Sequence, residues 1–353
     1  MRWLELPAVK WAIPLPLLVL IAPVIWRVFR GTWRQLDTEA LAWRRELADR
    51  GEVDYRPLVA LTMAALVLIW QEYYGRGDFY QETIRPALDR WAVGHARAQQ
   101  LLSTYDEMGL RLWWGITRIG GYLIPVLLWR AFFRHDQLAD FGLRARGFRE
   151  HAWIYAFCVA VMVPVILIVS RQPDFISYYP MYKQAGRSWA DFAVWELVYL
   201  GQFFALEIFF RGFWLRAMRG FGAGAIWSMV VPYCMIHFGK PYLEACGAMV
   251  AGVVLGSLAM YTRSIYAGFL VHATVAVMND GVSLYRAHNL PTAVTPLGSR
   301  HVTFLYWSAL IWIAWALALT VVGVKAWRVW RVWRVGGARL RRAEPSREGP
   351  GTL

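Results

Sequence analysis

Apolar runs recur along almost the whole chain, most of them long enough to cross a hydrocarbon core of about 30 Å as a helix. Nine can be marked, at roughly residues 11–29, 57–72, 108–133, 152–170, 192–217, 222–238, 243–261, 264–282 and 303–325. In lipid, backbone N–H and C=O groups must be satisfied within the chain, so continuous runs of this kind restrict the fold to a helical bundle. Pro14, Pro16, Pro23, Pro125 and Pro164 lie inside some of them. Membrane helices tolerate such prolines because neighbouring groups satisfy the freed carbonyls. The expectation is an all-α polytopic membrane protein with about nine transmembrane helices.

The formal net charge of +14 raises the question of nucleic acid. The distribution answers it differently. Arginines flank the apolar runs, and Trp26, Trp33, Trp70, Tyr73, Tyr74, Trp113 and Trp114 sit near run ends, as interfacial aromatic belts do. The partner implied is a lipid bilayer, with no nucleic acid. With nine spans, residues 30–56, 134–150, 217–221, 262–263 and the C-terminal tail share one side, and Lys and Arg concentrate there. The positive-inside rule then makes the C-terminus cytoplasmic and the N-terminus external. A bacterial inner membrane is the expected location. The run after Lys10 lacks a small-residue cleavage site and reads as a retained helix. Cys158, Cys234 and Cys246 lie in apolar segments without metal or disulfide spacing.

The connections divide the chain. Before residue 190 they are long, and 30–56 and 75–107 have amphipathic character that suits the membrane surface or packing on the bundle. From 217 to 264 they are very short, which makes the fifth to eighth helices antiparallel neighbours. The expected organisation is N-terminal helices over 1–135, a core over 136–285, a last loop and helix over 286–326, and a basic Trp/Arg-rich cytoplasmic tail over 327–353. That tail includes Trp327-Arg328-Val329-Trp330-Arg331-Val332-Trp333-Arg334, read as a juxtamembrane anchor.

Polar residues inside the core runs carry the chemistry. Glu207 and Arg211, four apart, share a helix face in the fifth run. Ionisable groups at membrane depth are costly and usually have partners and a role. His237 ends the sixth run, and Gly239 and Pro241 after it form a helix stop. Glu244 opens the seventh, where a carboxylate suits the helix dipole and can orient a histidine. His272 lies in the eighth, with Asn279 and Asp280 two turns on, where they read as helix-end caps.

The order of these segments resembles the CPBP family, the CAAX prenyl endopeptidases and the bacteriocin-processing or self-immunity membrane proteases. Glu207-Ile208-Phe209-Phe210-Arg211-Gly212-Phe213 looks like its first motif, Tyr233 to His237 its second, and Gly268 to His272 the approach to its third. Phe141-Gly142-Leu143-Arg144 resembles a segment that precedes the family core. The resemblance implies a glutamate-dependent, metal-free intramembrane endopeptidase. Glu207 and His237 would polarise the attacking water, His272 would donate to the oxyanion, and Arg211 would hold Glu207. Glu244 and Asn279 would support them. The substrate would be a membrane-anchored protein or peptide, and no cofactor is expected.

Two positions depart from the pattern. Leu206 stands where the first motif often has another Glu, and Ala276 where the third has Asn. They motivate a second expectation, a non-catalytic scaffold or immunity factor. Two histidines and a carboxylate can also hold zinc, although no His-Glu-x-x-His run is present. A proton-coupled transporter is a further alternative, against which stands the lack of an internal repeat of broken helices.

Overall fold

The structure, a computed structural model, describes residues 12, 14–133, 136–144 and 151–294. Every regular element among them is helical. The principal helices are α1 (Pro14–Asp49), α2 (Arg56–Tyr73), α3 (Asp106–Phe132), α4 (Ala152–Val169), α5 (Trp189–Glu207), α6 (Gly224–Met235), α7 (Tyr242–Thr262) and α8 (Tyr266–Arg286). Short helices, among them Arg85–Trp91 and Ala96–Thr104, occupy the long connection between α2 and α3. Met1–Thr292 form one unit, and of the second, Ala293–Leu353, only the first two residues are described.

Side-chain polarity is arranged for lipid. On α2, Ala60, Ala64 and Val67 are buried while Leu58, Leu61, Leu66 and Ile69 are exposed. On α3, Ile116, Ile124 and Leu127 face outward, as do Val161, Val165 and Ile168 on α4. The buried polar groups, Glu196, Gln202, Glu207, Arg211, Asn279 and Asp280 among them, lie inside. This is the distribution expected of a membrane bundle, where polar side chains turn toward the interior.

Among the described residues, three helices are long and apolar enough to cross a membrane, namely Trp189–Ala217, Tyr242–Thr262 and Tyr266–Arg286. The pair Arg56–Tyr73 and Gly77–Trp91, bent by 57°, makes a fourth candidate, and Trp153–Val169 and Gly224–Met235 are apolar but shorter. The first eight expected runs therefore fall in helices, but a count of nine full spans is not reached among the described residues. The ninth run, 303–325, and the Trp/Arg tail lie outside them.

The first run and the amphipathic stretch after it form one helix. Its 36 residues extend about 54 Å at 1.5 Å per residue. Phe29, Leu36, Ala40 and Leu47 are its buried stripe, so the stretch packs on the bundle. Here α1 lies against α7 and the Arg219–Phe221 turn. At the centre, α5 packs between α3 and α8, while α7 packs on α6 and α8. The short connections of the core produce the adjacent packing expected from them.

Candidate active site

The first motif lies where α5 changes its hydrogen bonding. After Glu207 the chain continues as a π-helical stretch, Ile208–Trp214, before Leu215–Ala217 closes the span. Local π geometry is often associated with functional sites. All of its residues are buried, because large side chains surround the motif. Phe209 packs on Tyr122 at 5.3 Å between centroids, Phe213 meets Trp129 edge-on at 5.1 Å, and Phe210 meets Tyr233 edge-on at 5.6 Å. Gly212 is needed at its position, since a Cβ there would run into the carbonyl of Phe141. Gly142, at φ +75°, accepts a hydrogen bond from the Ile265 backbone N–H at 3.0 Å. The Phe141–Arg144 segment thus ties the first motif to the start of α8.

Inside this apolar shell, Arg211 Nη1 lies 3.2 Å from Glu207 Oε1, with both side chains fully buried. The guanidinium also sits over the Tyr233 ring, 4.1 Å from its centroid. His272 supplies the third contact, its Nδ1 being 2.7 Å from Glu207 Oε1. Gly268, one turn earlier on α8, lets that helix approach, because a Cβ there would collide with the Glu207 carboxylate. Phe203, one turn before Glu207, stacks on the His272 ring at 5.2 Å. The Tyr233 hydroxyl lies 2.8 Å from His272 Nε2, while Nδ1 stands at ion-pair distance from Glu207 without forming a hydrogen bond.

His237 sits just past the end of α6, where its backbone N–H donates to the Cys234 carbonyl at 2.9 Å and Gly239 turns the chain at φ +86°. Its Nδ1 is 2.7 Å from the Tyr233 carbonyl oxygen. A carbonyl only accepts, so Nδ1 carries the proton and Nε2 keeps its lone pair. The rings of Tyr233 and His237 are 4.7 Å apart, placing Tyr233 between the two histidines.

The contacts of Glu207 are with the first and third motifs. It meets Arg211 and His272, and it has no exposed surface. Glu244 lies in the first turn of α7, as read, but its carboxylate receives Lys240 Nζ at 2.7 Å and the Tyr179 hydroxyl at 2.5 Å rather than a histidine. Asn279 and Asp280 do not cap a helix end, because α8 continues to Arg286. Both are buried in its interior, and Asp280 accepts Trp195 Nε1 at 2.6 Å. Ala276 is buried in the cluster that contains Tyr199 and Phe203. No group of three or more His, Cys, Asp or Glu side chains among the described residues is arranged to hold a metal ion.

Two participants were not given roles by the sequence, the Tyr233 hydroxyl and the Phe203 ring. A buried carboxyl outside the site, Glu196, was also passed over, although its signal was present. It precedes Glu207 by eleven residues, three helical turns, and so shares its face.

The fold and site define a helical membrane bundle whose buried carboxylate, guanidinium and two imidazoles gather around one tyrosine. Residues 188–278 match the family model described as Rce1-like, type II CAAX prenyl endopeptidase Rce1-like, and the chain carries that CAAX-protease domain over this stretch. The match runs from the start of α5 into α8 and includes Glu207, Arg211, Tyr233, His237, Gly268, His272 and Ala276. It bears out the resemblance drawn from the motifs. No curated protein and no solved structure matches the chain.

Proposed function

We propose that the chain is an intramembrane endopeptidase that hydrolyses a peptide bond of a membrane-anchored protein or peptide. The observation that carries this reading is the 2.7 Å contact between Glu207 and His272, inside a CAAX-protease domain and one tyrosine away from His237. In this reading His237 Nε2 takes a proton from the attacking water and later returns it to the leaving amine. His272 is an imidazolium throughout, its Nδ1 beside the Glu207 carboxylate, and its Nε2–H turns from the Tyr233 oxygen to the developing oxyanion without gaining or losing a proton. Glu207 stays buried and acts through His272 as a positioning residue. Arg211 supplies the charge that keeps a carboxylate at this depth. The location is a bacterial inner membrane with a cytoplasmic C-terminus, supported by the arginine-rich side of the bundle. No cofactor enters the scheme.

The test uses the full chain in proteoliposomes with two probes, an internally quenched farnesylated CAAX-type peptide and a single-span reporter with an unprenylated tail. His237→Ala and His272→Ala are each expected to reduce kcat about 100-fold or more. Glu207→Gln is expected to reduce kcat and shift its pH profile while leaving KM nearly unchanged. Wild-type rates in all three variants would remove the catalytic assignment. A second reading, a non-catalytic scaffold, is favoured by the complete burial of Glu207 and by apolar Leu206 beside it. It predicts that neither probe is cut by the wild type.

A further inference from the structure

A cavity of about 540 Å³ opens where the arginine-rich connections converge. Its walls come from α1 around Leu36 to Glu46, the Ala139–Arg144 stretch, the turn from Arg216 to Gly222, and the junction of α7 and α8. It therefore lies at the ends of three membrane-spanning helices, which stop at Ala217 and Thr262 and start at Tyr266. Lipid headgroups occupy that level of a bilayer.

Five arginines line it, at 144, 211, 216, 219 and 263, against the carboxylates Glu39, Glu46 and Asp140. Most of these charges are matched. Arg263 pairs with Glu39 at 2.7 Å, Arg144 with Asp140 at 2.9 Å, and Arg216 with Asp136 at 2.9 Å. Arg211 is paired with Glu207, yet none of its three guanidinium nitrogens has a hydrogen-bond partner although the residue is 3% exposed. Arg219 is different again. Among the described residues it forms no ion pair with a carboxylate, and its buried Nε has no hydrogen-bond partner. Its guanidinium lies over the Trp43 ring at 3.4 Å, and Arg56 lies over the same ring at 5.1 Å. Burial, followed by repulsion from Arg216 and Arg56, pushes Arg219 down to about 10. Asp136 and Asp54 offset part of that repulsion without forming an ion pair with Arg219.

We infer that this cavity is a binding site for a phosphate group at the membrane surface, held by Arg219 with Arg216 beside it and supplied by the headgroup of an anionic phospholipid. A guanidinium presents a planar fork of donors that matches phosphate oxygens, and Arg219 is the lining arginine whose fork has no carboxylate. Arg211 also lines this cavity, with its side chain fully buried beside Glu207.

The experiment titrates the full chain in neutral detergent micelles with phosphatidylglycerol, phosphatidylcholine or inorganic phosphate, and reads the unfolding temperature. A ligand that binds the folded state alone raises that temperature with concentration. Phosphatidylglycerol is expected to stabilise the wild type at a mole fraction where phosphatidylcholine does not. Arg219→Gln is expected to need roughly 10-fold more of it, the loss that goes with one charge-assisted hydrogen bond. Arg97→Gln, an exposed charge elsewhere, is expected to behave as wild type. If Arg219→Gln does not fold, Ala42→Phe, at an exposed position on the cavity wall, fills the space without altering charge and is expected to abolish the same response. Equal responses in Arg219→Gln, Ala42→Phe and wild type would overturn the site, as would equal losses in Arg219→Gln and Arg97→Gln. Stabilisation by inorganic phosphate that depends on Arg219, with none from phosphatidylglycerol, would keep the phosphate site and overturn its lipid source.

Discussion

Two buried glutamates on α5, three turns apart, have opposite surroundings. Glu207 is fully buried and meets the Arg211 guanidinium, the His272 imidazole and the close backbone of Gly268. Glu196 is 6% exposed; like Glu207 it makes no hydrogen bond through either carboxyl oxygen, but unlike Glu207 it has no ion-pair partner among the described residues. The nearby titratable group acting on it is another acid, Asp280, whose Oδ2 takes the Trp195 N–H and whose Oδ1 has no partner. A carboxylate without partners is expensive in an apolar interior, whereas one beside a guanidinium and an imidazole is balanced. Burial depth alone therefore does not mark the candidate active site. The partners mark it.

The most severe way to break the contrast is to take away the guanidinium. Arg211→Met leaves Glu207 buried with only His272, and is expected to cost about 3–5 kcal/mol in unfolding free energy, as loss of one partner of a buried ion pair does. Adding Glu207→Gln to Arg211→Met is expected to recover most of that loss. Denaturant unfolding in micelles measures both. A single variant within about 1 kcal/mol of wild type would mean that the pair is not the source of the balance.

Gly268→Ala probes the same contact from the other helix. The added methyl must displace the Glu207 carboxylate or α8 itself, at an expected cost of about 1–3 kcal/mol. Cleavage of the reporter is expected to fall through kcat rather than KM, since the carboxylate is moved off His272. Unchanged stability and turnover would show that Glu207 does not depend on close approach of α8.

Much of this was legible in the sequence, and the limits have physical causes. A spacing of four residues set Glu207 beside Arg211, and Gly239 and Pro241 marked the stop after His237. A one-dimensional pattern does not say which histidine meets the carboxylate. That depends on Gly268 admitting α8 and on the Tyr233 carbonyl claiming His237 Nδ1. The π-helical stretch after Glu207 has no periodic signature in a run that is apolar on every face. The continuity of α1 was hidden because its composition changes from apolar to charged near Arg30, where it passes from a largely exposed apolar stretch to one with a buried stripe of Phe29, Leu36, Ala40 and Leu47. Asn279 and Asp280 looked like caps because polar residues near a run's end usually are. Here α8 continues past them, and both remain inside.

A carboxylate at the edge of the bundle sharpens the comparison by pH. Burial raises the Asp136 carboxyl, but hydrogen bonds from Trp129 and Arg216 outweigh it and hold the group below its ordinary value of 3.8. A depressed folded-state value contributes stability above the unfolded value, and that contribution is lost as pH falls through the folded one. The wild type is therefore expected to exceed Asp136→Asn in unfolding temperature above about pH 4, with the gap closing in stronger acid. A gap independent of pH would show that the hydrogen bonds act without charge.

The smallest effect is expected at Glu196. Its oxygens make no hydrogen bond to lose, so Glu196→Gln removes a potential charge without orphaning a partner. A polar group whose replacement leaves no donor unpaired contributes little, and relief of its interaction with Asp280 acts in the favourable direction. The variant is expected within about 0.5 kcal/mol of wild type, or slightly more stable, with unchanged reporter cleavage. Glu196→Leu extends the test, because an apolar side chain suits the site better than an unpartnered carboxyl. A large loss of stability in both would mean that Glu196 is as firmly held as Glu207. A loss of cleavage with stability intact would bring the Glu196 and Asp280 level of the bundle into the reaction.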